Sequence, residues 1–502
     1  MKQLAEKYHA GQYRKGEGRV PYIVHPEAVA NTLIMCGVPQ DSPIIQIAWG
    51  HDLLEDTKVT GKEIIEVSDE SVYRAICMLT KSKTLTKSAY LSAIARKGPR
   101  EVILVKAADR ICNTKDFVKL EGELSAYRYL HQAEVLLPAL EKIADDPVAN
   151  NLLQMWKTLD ASLGKIALRD AARGCLLGGA IGDALGSPVE FLNKADIIDE
   201  YGKDGVTSYV EHFDGTGRIT DDTQMTLFTA EGILRAEACS QQNKAYRPED
   251  MVHYAYLRWL KTQGETVNCD TKIIESGGLI KEKSLYSCRA PGITCISALK
   301  CVPVGSSANN SSKGCGTVMR LAPAGIFYEP ETAYDMGCKF SAITHGHPTG
   351  IIAGGTFAML ISLLYRGKGL EDSLLEIIVK LRNIPEASET LAAIQAARSA
   401  EDISELGEGW IAEEALAIAV YCSLRHQYDF MSGVLAAVNI TGDSDSAASL
   451  TGNILGVING EKAIPEKWKI NLREHSIVEQ IAEDLCTKYQ PDSEWQQKYP
   501  AF

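Results

Sequence analysis

Apolar residues recur along this chain at helical spacing, about every 3.6 positions, and almost nowhere in the strict alternation of a half-buried strand. Residues 27–36 (EAVANTLIMC), 42–54 and 122–144 carry the pattern early. Residues 223–236, 350–365, 411–425 and 431–440 carry it later. The periodicity predicts an all-α protein. Pro26 reads as a helix start, with His25 as the capping residue just outside it. Residues 351–365 are the longest apolar stretch; at about fifteen residues they are too short to span a bilayer and read as a buried helix. Residues 145–168 hold a polar break and then another amphipathic stretch. Lacking Gly/Ser or Pro enrichment, they read as a helical connection, not a flexible linker.

From Arg169 the texture changes. Gly174, Gly178, Gly179, Gly182 and Gly186 fall close together, a density that permits close helix packing and also marks backbone near a ligand. Residues 302–318 (VPVGSSANNSSKGCGTV) are the most loop-like segment and are rich in groups able to hold phosphate oxygens. The organisation expected is two helical domains, 1–145 and 169–502, with the connection over 146–168. A length of 502 residues agrees with more than one hydrophobic core.

Composition adds exclusions. Hydrophobic residues at 45% and charged residues at 23% are ordinary for a soluble globular protein. A net charge of −13 argues against nucleic acid or an anionic membrane surface as partner. Thirteen cysteines, with no C-x-x-C pair, point to free thiols in a reducing cytosol, and the N-terminus shows no apolar signal core. A cytoplasmic enzyme is the expectation.

Two acidic constellations carry the chemistry. In the first, His25-Pro26 is followed by His51-Asp52, Glu55-Asp56 and Asp109. Mixed His and Asp ligands favour a transition metal such as Mn²⁺, Fe²⁺ or Zn²⁺. Glu55 lies four residues after His51, and Asp56 four after Asp52, so on a helix each pair shares a face. Asp109 and Asn113 repeat that spacing, and Lys106 lies one turn before Asp109. His25, His51, Asp52 and Asp109 can form a four-ligand site, Glu55 and Asp56 can orient or deprotonate a water, and Arg14, Lys15 and Arg19 offer phosphate contacts. The strings His9-Ala-Gly-Gln12-Tyr-Arg14-Lys15, Pro21-Tyr22-Ile-Val-His25-Pro26, His51-Asp52-Leu-Leu-Glu55-Asp56-Thr57 and Lys106-Ala-Ala-Asp109-Arg-Ile-Cys-Asn113 resemble the HD-domain hydrolases of the RelA/SpoT type, especially the small alarmone hydrolases. The resemblance implies one Mn²⁺, or another divalent transition metal, held by His25, His51, Asp52 and Asp109. It implies Glu55 and Asp56 as the catalytic pair, and Arg14, Lys15, Tyr22, Lys106 and Asn113 as contacts to a (p)ppGpp-like nucleotide.

The second constellation joins Glu190 and Thr220-Asp221-Asp222 to Asp443-Ser444-Asp445-Ser446. Converging carboxylates repel one another and call for a cation, and all-oxygen ligands favour Mg²⁺, Mn²⁺ or Ca²⁺. Glu190, Thr220, Asp221, Asp222, Asp443, Asp445 and Ser446 supply enough oxygens for two hard cations that clamp vicinal ribose hydroxyls. Nearby carboxylates also stabilise the oxocarbenium-like state through which a glycosidic bond breaks. Asn310, Ser311, Gly314 and Gly316 can donate to a diphosphate, with His345 beside it. Taken singly, Thr-Asp-Asp reads as a helix N-cap, Gly-Asp-Ser-Asp-Ser as a loop or calcium site, the glycine run as helix packing, and His345 as structural.

Together, Gly174-Cys-Leu-Leu-Gly-Gly-Ala-Ile-Gly-Asp183-Ala-Leu-Gly186 with Glu190, Thr220-Asp221-Asp222-Thr223, Arg289-Ala-Pro-Gly292, Asn309-Asn310 to Gly316, Thr344-His345 and Thr441-Gly-Asp443-Ser-Asp445-Ser446 resemble the ADP-ribosylglycohydrolase family, over residues 169–460. The resemblance implies an all-helical domain with two Mg²⁺ or Mn²⁺ ions, held by those seven residues. A water attacks the anomeric carbon, with Asp222 or Glu190 assisting. Ser444 and Ser446 stand where threonines are common, and Ser446 keeps the hydroxyl. The reading is a bifunctional hydrolase acting on ADP-ribosylated protein, with arginine as acceptor, and on a small nucleotide. The alternative is an ADP-ribose-binding or nucleotide-sensing regulator with one active domain.

Overall fold

A computed structural model of the chain describes residues 1–16 and 19–501. The chain is 69% helical. The only strands among the described residues are Glu211–His212 and Gly215–Thr216, an antiparallel hairpin pairing Glu211 with Thr216 and His212 with Gly215. The all-α class follows. Two compact units divide at Ala167/Leu168, inside the helix Pro147–Gly186.

In the first unit, helices Val24–Met35, Pro43–Gly50, Glu70–Leu79 and Arg100–His131 pack around Leu33, Ile47, Leu53, Ile76, Leu104 and Ile111, all removed from solvent. Local signals set the element ends. Ser42 accepts from the Ile44 amide with Pro43 in the first turn, and Thr60 and Glu63 form a reciprocal capping box. Three boundaries differ from the sequence pattern. The helix expected from Pro26 begins at Val24, so His25 lies within its first turn instead of capping it. The helix expected over 42–54 breaks at His51–Asp52 into Pro43–Gly50 and Leu53–Asp56. Both residues at the break stay in the right-handed helical region, and His51 Nε2 and Asp52 Oδ2 lie 3.2 Å apart. The segment 122–144 starts at a kink where Gly122 takes φ 81°, and the α-helix stops at His131 before resuming at Leu137–Lys142.

In the second unit, Asp221–Gln241 packs on Pro248–Thr262, Pro330–Ser341 on Pro348–Tyr365, and Ser444–Asn459 on both Phe430–Val438 and Ala412–Arg425. Phe228, Trp259, Phe340, Phe357 and Trp468 are fully buried among them. The apolar helix begins at Pro348 and so runs 18 residues. Length alone therefore does not exclude a membrane span, correcting the sequence-based expectation, but 89% of it is buried in the protein.

The glycine run is helical, and its spacing has a structural cause. A Cβ on Gly174, Gly178 or Gly182 would lie 2.3, 2.3 and 2.1 Å from the carbonyl oxygens of Gly456, Gly452 and Ala448, and one on Gly186 2.6 Å from Asp445 Cα. Glycine every fourth residue thus lets the Pro147–Gly186 helix touch the backbone of the Ser444–Asn459 helix. The contact ends at the acidic turn. Gly182→Ala should raise intrinsic helix propensity yet lower stability by about 2 kcal/mol, because the methyl meets immovable backbone. A higher denaturation midpoint for this variant would refute the close-packing account.

Candidate functional site

The acidic turns of the second unit are helix N-termini. Thr220 caps Asp221–Gln241 and places Asp221 and Asp222 in its first turn. Asp443 caps Ser444–Asn459 and places Asp445 and Ser446 likewise. Each N-terminus exposes amides that favour negative charge. The Ser446 amide lies 3.2 Å from Asp443 Oδ1 and 2.9 Å from Asp445 Oδ1, and Asp221 Oδ2 accepts from the Gly292 amide at 3.1 Å.

Glu190, Asp221, Asp222, Asp443, Asp445 and Ser446 line one cavity of about 360 Å³. Oxygens of Glu190, Asp443 and Asp445 lie within 4.8 Å of one another. Burial, then mutual repulsion led by Asp445, pushes Glu190 up to about 10. Burial likewise drives Asp221, Asp222 and Asp443 well above the carboxylate range. Asp222 Oδ2 and Asp443 Oδ2 are buried without a hydrogen-bond partner. Buried acids with unused oxygens, all aimed into one cavity, fit a hard divalent cation. Thr220 Oγ1 donates to Asp183 Oδ1 at 2.9 Å and accepts from the Asp222 amide at 3.3 Å, which leaves its oxygen limited capacity for an ion.

Asp183 is the residue whose role the sequence does not reveal. Fully buried, it accepts from the Thr220 amide at 3.0 Å and the Thr223 amide at 3.1 Å, and from both threonine hydroxyls. It thus clamps the start of the Asp221 helix. The only sequence hint is its place inside the glycine run. Asp183→Ala strands four donors and should cost about 3 kcal/mol of stability, measured as a fall in denaturation midpoint; an unchanged midpoint would show that the clamp carries no weight.

The substrate-side residues fall in two groups. Gly314, Gly316 and His345 line the same cavity as the acids. Thr344 Oγ1 accepts from Arg320 Nη2 at 2.6 Å and lies 2.8 Å from His345 Nδ1, which fixes the orientation of the ring. Burial and the Arg320 charge hold the ring neutral, down to about 3. Asn310 and Ser311 line an adjoining cavity of about 510 Å³ that shares Ile293 and Thr294 with the first. The Asn310 side chain already serves its own loop. It accepts from the Ser312 and Gly346 amides and donates to the Thr344 carbonyl at 2.9 Å, so only one of its N–H groups is free for a ligand. Trp410, which the sequence reading passes over, joins the first cavity.

In the first unit, His25 Nε2 and His51 Nε2 lie 3.2 Å apart. Asp109 Oδ1 is 3.1 Å from His25 Nε2, and Asp52 Oδ2 is 3.2 Å from His51 Nε2. The Ala48 carbonyl, 2.7 Å from His51 Nδ1, fixes that ring's orientation. Two imidazole nitrogens and two carboxylates facing one point need positive charge between them. Burial opposes charging His51, yet Asp52 and Asp109 push it up to about 10. The donor set fits a divalent transition metal.

Around this group, Lys106 Nζ donates to Asp109 Oδ2 at 2.9 Å, Asn113 to Asp109 Oδ1 at 2.6 Å, and Arg14 to Asn113 at 2.7 Å. The Tyr22 hydroxyl sits 2.8 Å from Asp52 Oδ2 and 2.7 Å from Asp56 Oδ2. Lys15 is exposed. Glu55 is also exposed and accepts from the Lys81 amide at 3.0 Å; with the helix broken at His51, the shared-face argument for Glu55 does not hold. Lys87 and Arg110, unforeseen in the sequence, add positive charge here: burial, then Arg110 and Lys106, lowers Lys87 to about 8.

Comparison with known proteins decides the family of the larger unit. The sequence profile of the ADP-ribosylglycohydrolases matches residues 165–494. The chain belongs to the ADP-ribosylglycohydrolase family. Within it, this chain is 26% identical over 322 residues to the ADP-ribosylarginine hydrolase Tri1 of Pseudomonas putida, covering 63% of this chain and 78% of that one. A solved ADP-ribosylglycohydrolase-related protein complex superposes with a TM-score of 0.50 at 26% identity, over 64% of this chain and 99% of the other. The smaller region is HD-like. It is 35% identical over 122 residues to the guanosine-3′,5′-bis(diphosphate) 3′-pyrophosphohydrolase MESH1 of Danio rerio, over 24% of this chain and 67% of that enzyme. An ADP-ribosylglycohydrolase-family hydrolase with an HD-like region is what these likenesses establish.

Proposed function

We propose that the second unit hydrolyses the bond between ADP-ribose and a protein side chain, with arginine as acceptor, and that the first unit removes pyrophosphate from a (p)ppGpp-like nucleotide. The observation that carries the glycohydrolase reading is the convergence of Asp221, Asp222, Glu190, Asp443 and Asp445 on one cavity, with two buried carboxylate oxygens unpartnered. The likeness to Tri1 supports arginine. The likeness to MESH1 and the His25–His51–Asp52–Asp109 group support the second activity.

Glu190, Asp221, Asp222, Asp443, Asp445 and Ser446, with the Thr220 oxygen, would hold two Mg²⁺ or Mn²⁺ ions. Such ions, when bound, supply Lewis acidity and a template for vicinal ribose hydroxyls. The remaining work falls to the chain. A neutral His345 can share a hydrogen bond with a substrate oxygen without acquiring charge. Asp222 or Glu190 can take a proton from the attacking water, and a protonated Glu190 can return one to the leaving nitrogen. Carboxylates around the anomeric carbon favour its developing positive charge. In the first unit, His25, His51, Asp52 and Asp109 would hold one Mn²⁺. Asp56 would move the proton of water, steadied by Tyr22, and Arg14, Lys15, Lys106 and Asn113 would face the nucleotide phosphates.

A substrate panel with added Mg²⁺ and Mn²⁺, read by free ADP-ribose and by pyrophosphate, tests both halves. Release of both products is expected. Tight binding of ADP-ribose or nucleotide with no turnover would replace the bifunctional hydrolase by a regulator.

Cation-free protein should show a telling pH dependence. Folded-state values raised to about 10 for Glu190 and about 7 for Asp183 mean that the native state holds protons the unfolded state has lost. Stability should therefore fall as pH rises from about 5 to about 9, and saturating Mg²⁺ should flatten the slope. Thermal melts across that range in chelator and in Mg²⁺ check it; a slope unaffected by cation would contradict the site assignment.

A further inference from the structure

Beside the acidic cavity stands a pair of aromatic rings that no other part of the structure explains. Phe191 is 74% exposed and Trp410 38% exposed, and their rings stack with centroids 5.6 Å apart and planes 20° or so from parallel (21°). Burial alone therefore does not account for Phe191. Phe191 follows Glu190 in the chain, and Trp410 itself lines the cavity with Glu190, Asp443 and Asp445.

Their placement is tied to the acidic turn. The Asp443 amide donates to the Glu408 carbonyl at 2.8 Å, and the Gly442 amide to the Leu192 carbonyl at 3.4 Å. The turn thus grips the Trp410 loop on one side and the Phe191 segment on the other. The Cys315 amide donates to the Trp410 carbonyl at 3.2 Å. Glycines permit the approach: a Cβ on Gly442 would lie 2.2 Å from the Glu408 oxygen. The indole Nε1–H donates to Glu408 Oε2 at 3.1 Å, which sets the ring's orientation and puts a further carboxylate at its edge.

We infer that the Phe191–Trp410 stack, edged by Glu408, is the acceptor subsite, and that it selects a planar cation, the guanidinium of an ADP-ribosylated arginine, over an uncharged hydroxyl-derived acceptor. This rests on the glycohydrolase reading above and adds to it the residues that choose the acceptor. Aromatic faces attract guanidinium groups by cation–π and planar stacking, and a carboxylate edge adds charge complementarity. A serine-linked acceptor offers neither charge nor plane.

Phe191→Ala, Trp410→Ala and Trp410→Phe are compared with the unaltered full-length protein on two Mg²⁺-containing assays, an arginine-ADP-ribosylated peptide and a serine-ADP-ribosylated peptide of the same sequence. Free ADP-ribose serves as competitor. Both alanine variants should raise KM for the arginine-linked peptide by about tenfold, as loss of a partly desolvated cation–π contact implies. kcat/KM for the serine-linked peptide and the Ki of ADP-ribose should stay within about twofold, and Trp410→Phe should keep most of the selectivity. Equal losses on both peptides, or a Ki for ADP-ribose that rises with KM, would overturn the inference, since the pair would then hold the common ADP-ribose part. Preference of the unaltered protein for the serine-linked peptide would overturn it while leaving the glycohydrolase reading intact. No release of ADP-ribose from either peptide would remove both.

Discussion

Replacing Asp221 and Asp222 together by Asn should reduce release of ADP-ribose by about 10³-fold or more, since the change removes both metal-holding charge and a proton-moving carboxylate. Nucleotide hydrolysis should be unchanged, because that chemistry is assigned to residues of the other unit. The same variant carries a second, opposite signature. In chelator, the native cluster crowds buried acids whose oxygens lack partners, so two neutral amides should unfold at the same temperature as the unaltered protein or higher. In saturating Mg²⁺ the order should invert, because only the unaltered protein gains binding energy, about 2.7 kcal/mol at a hundred times Kd. Melting curves in both conditions check this. A variant destabilised equally with and without cation would mean that Asp221 and Asp222 act only as first-turn helix residues.

His51→Ala with Asp52→Ala should abolish pyrophosphate release, again by about 10³-fold or more, and leave ADP-ribose release intact. His51 and Asp52 supply two of the four groups around the first unit's centre, and their removal leaves His25 and Asp109, 3.1 Å apart, which are too few ligands to hold a metal tightly. Pyrophosphate counts and ADP-ribose counts from the same preparation give the comparison. If both activities fell together, one composite site would have to replace two separate ones.

The residues that gather at each candidate site were largely legible in the sequence, because clustered carboxylates and imidazoles stand out as residue types and keep their order along the chain. The helical class was legible too, since a 3.6-residue period survives in nearly every segment. The misreadings have common causes. The helix expected over 42–54 divides at His51–Asp52, which periodicity does not foresee, so the expected sharing of one helical face by His51 and Glu55 is lost. Asp183 looked like part of a glycine run; its function is a set of contacts to residues 37 and 40 positions away, which no local pattern encodes. Phe191 and Trp410 are 219 positions apart in the chain yet stack on each other, with the Asp443 turn bonded to the segments on both sides. The glycines themselves were ambiguous between ligand approach and packing. The structure shows packing that serves the site, since the helix contact they permit ends at Asp445.

The most direct test of the central claim is the rate of ADP-ribose release from an arginine-ADP-ribosylated peptide as the full-length protein is stripped with chelator and then titrated with Mg²⁺ or Mn²⁺. The account requires activity that vanishes in chelator and returns with either cation, in step with the rise in melting temperature. The same rate in chelator as in Mg²⁺, or no ADP-ribose at any cation concentration, would contradict it.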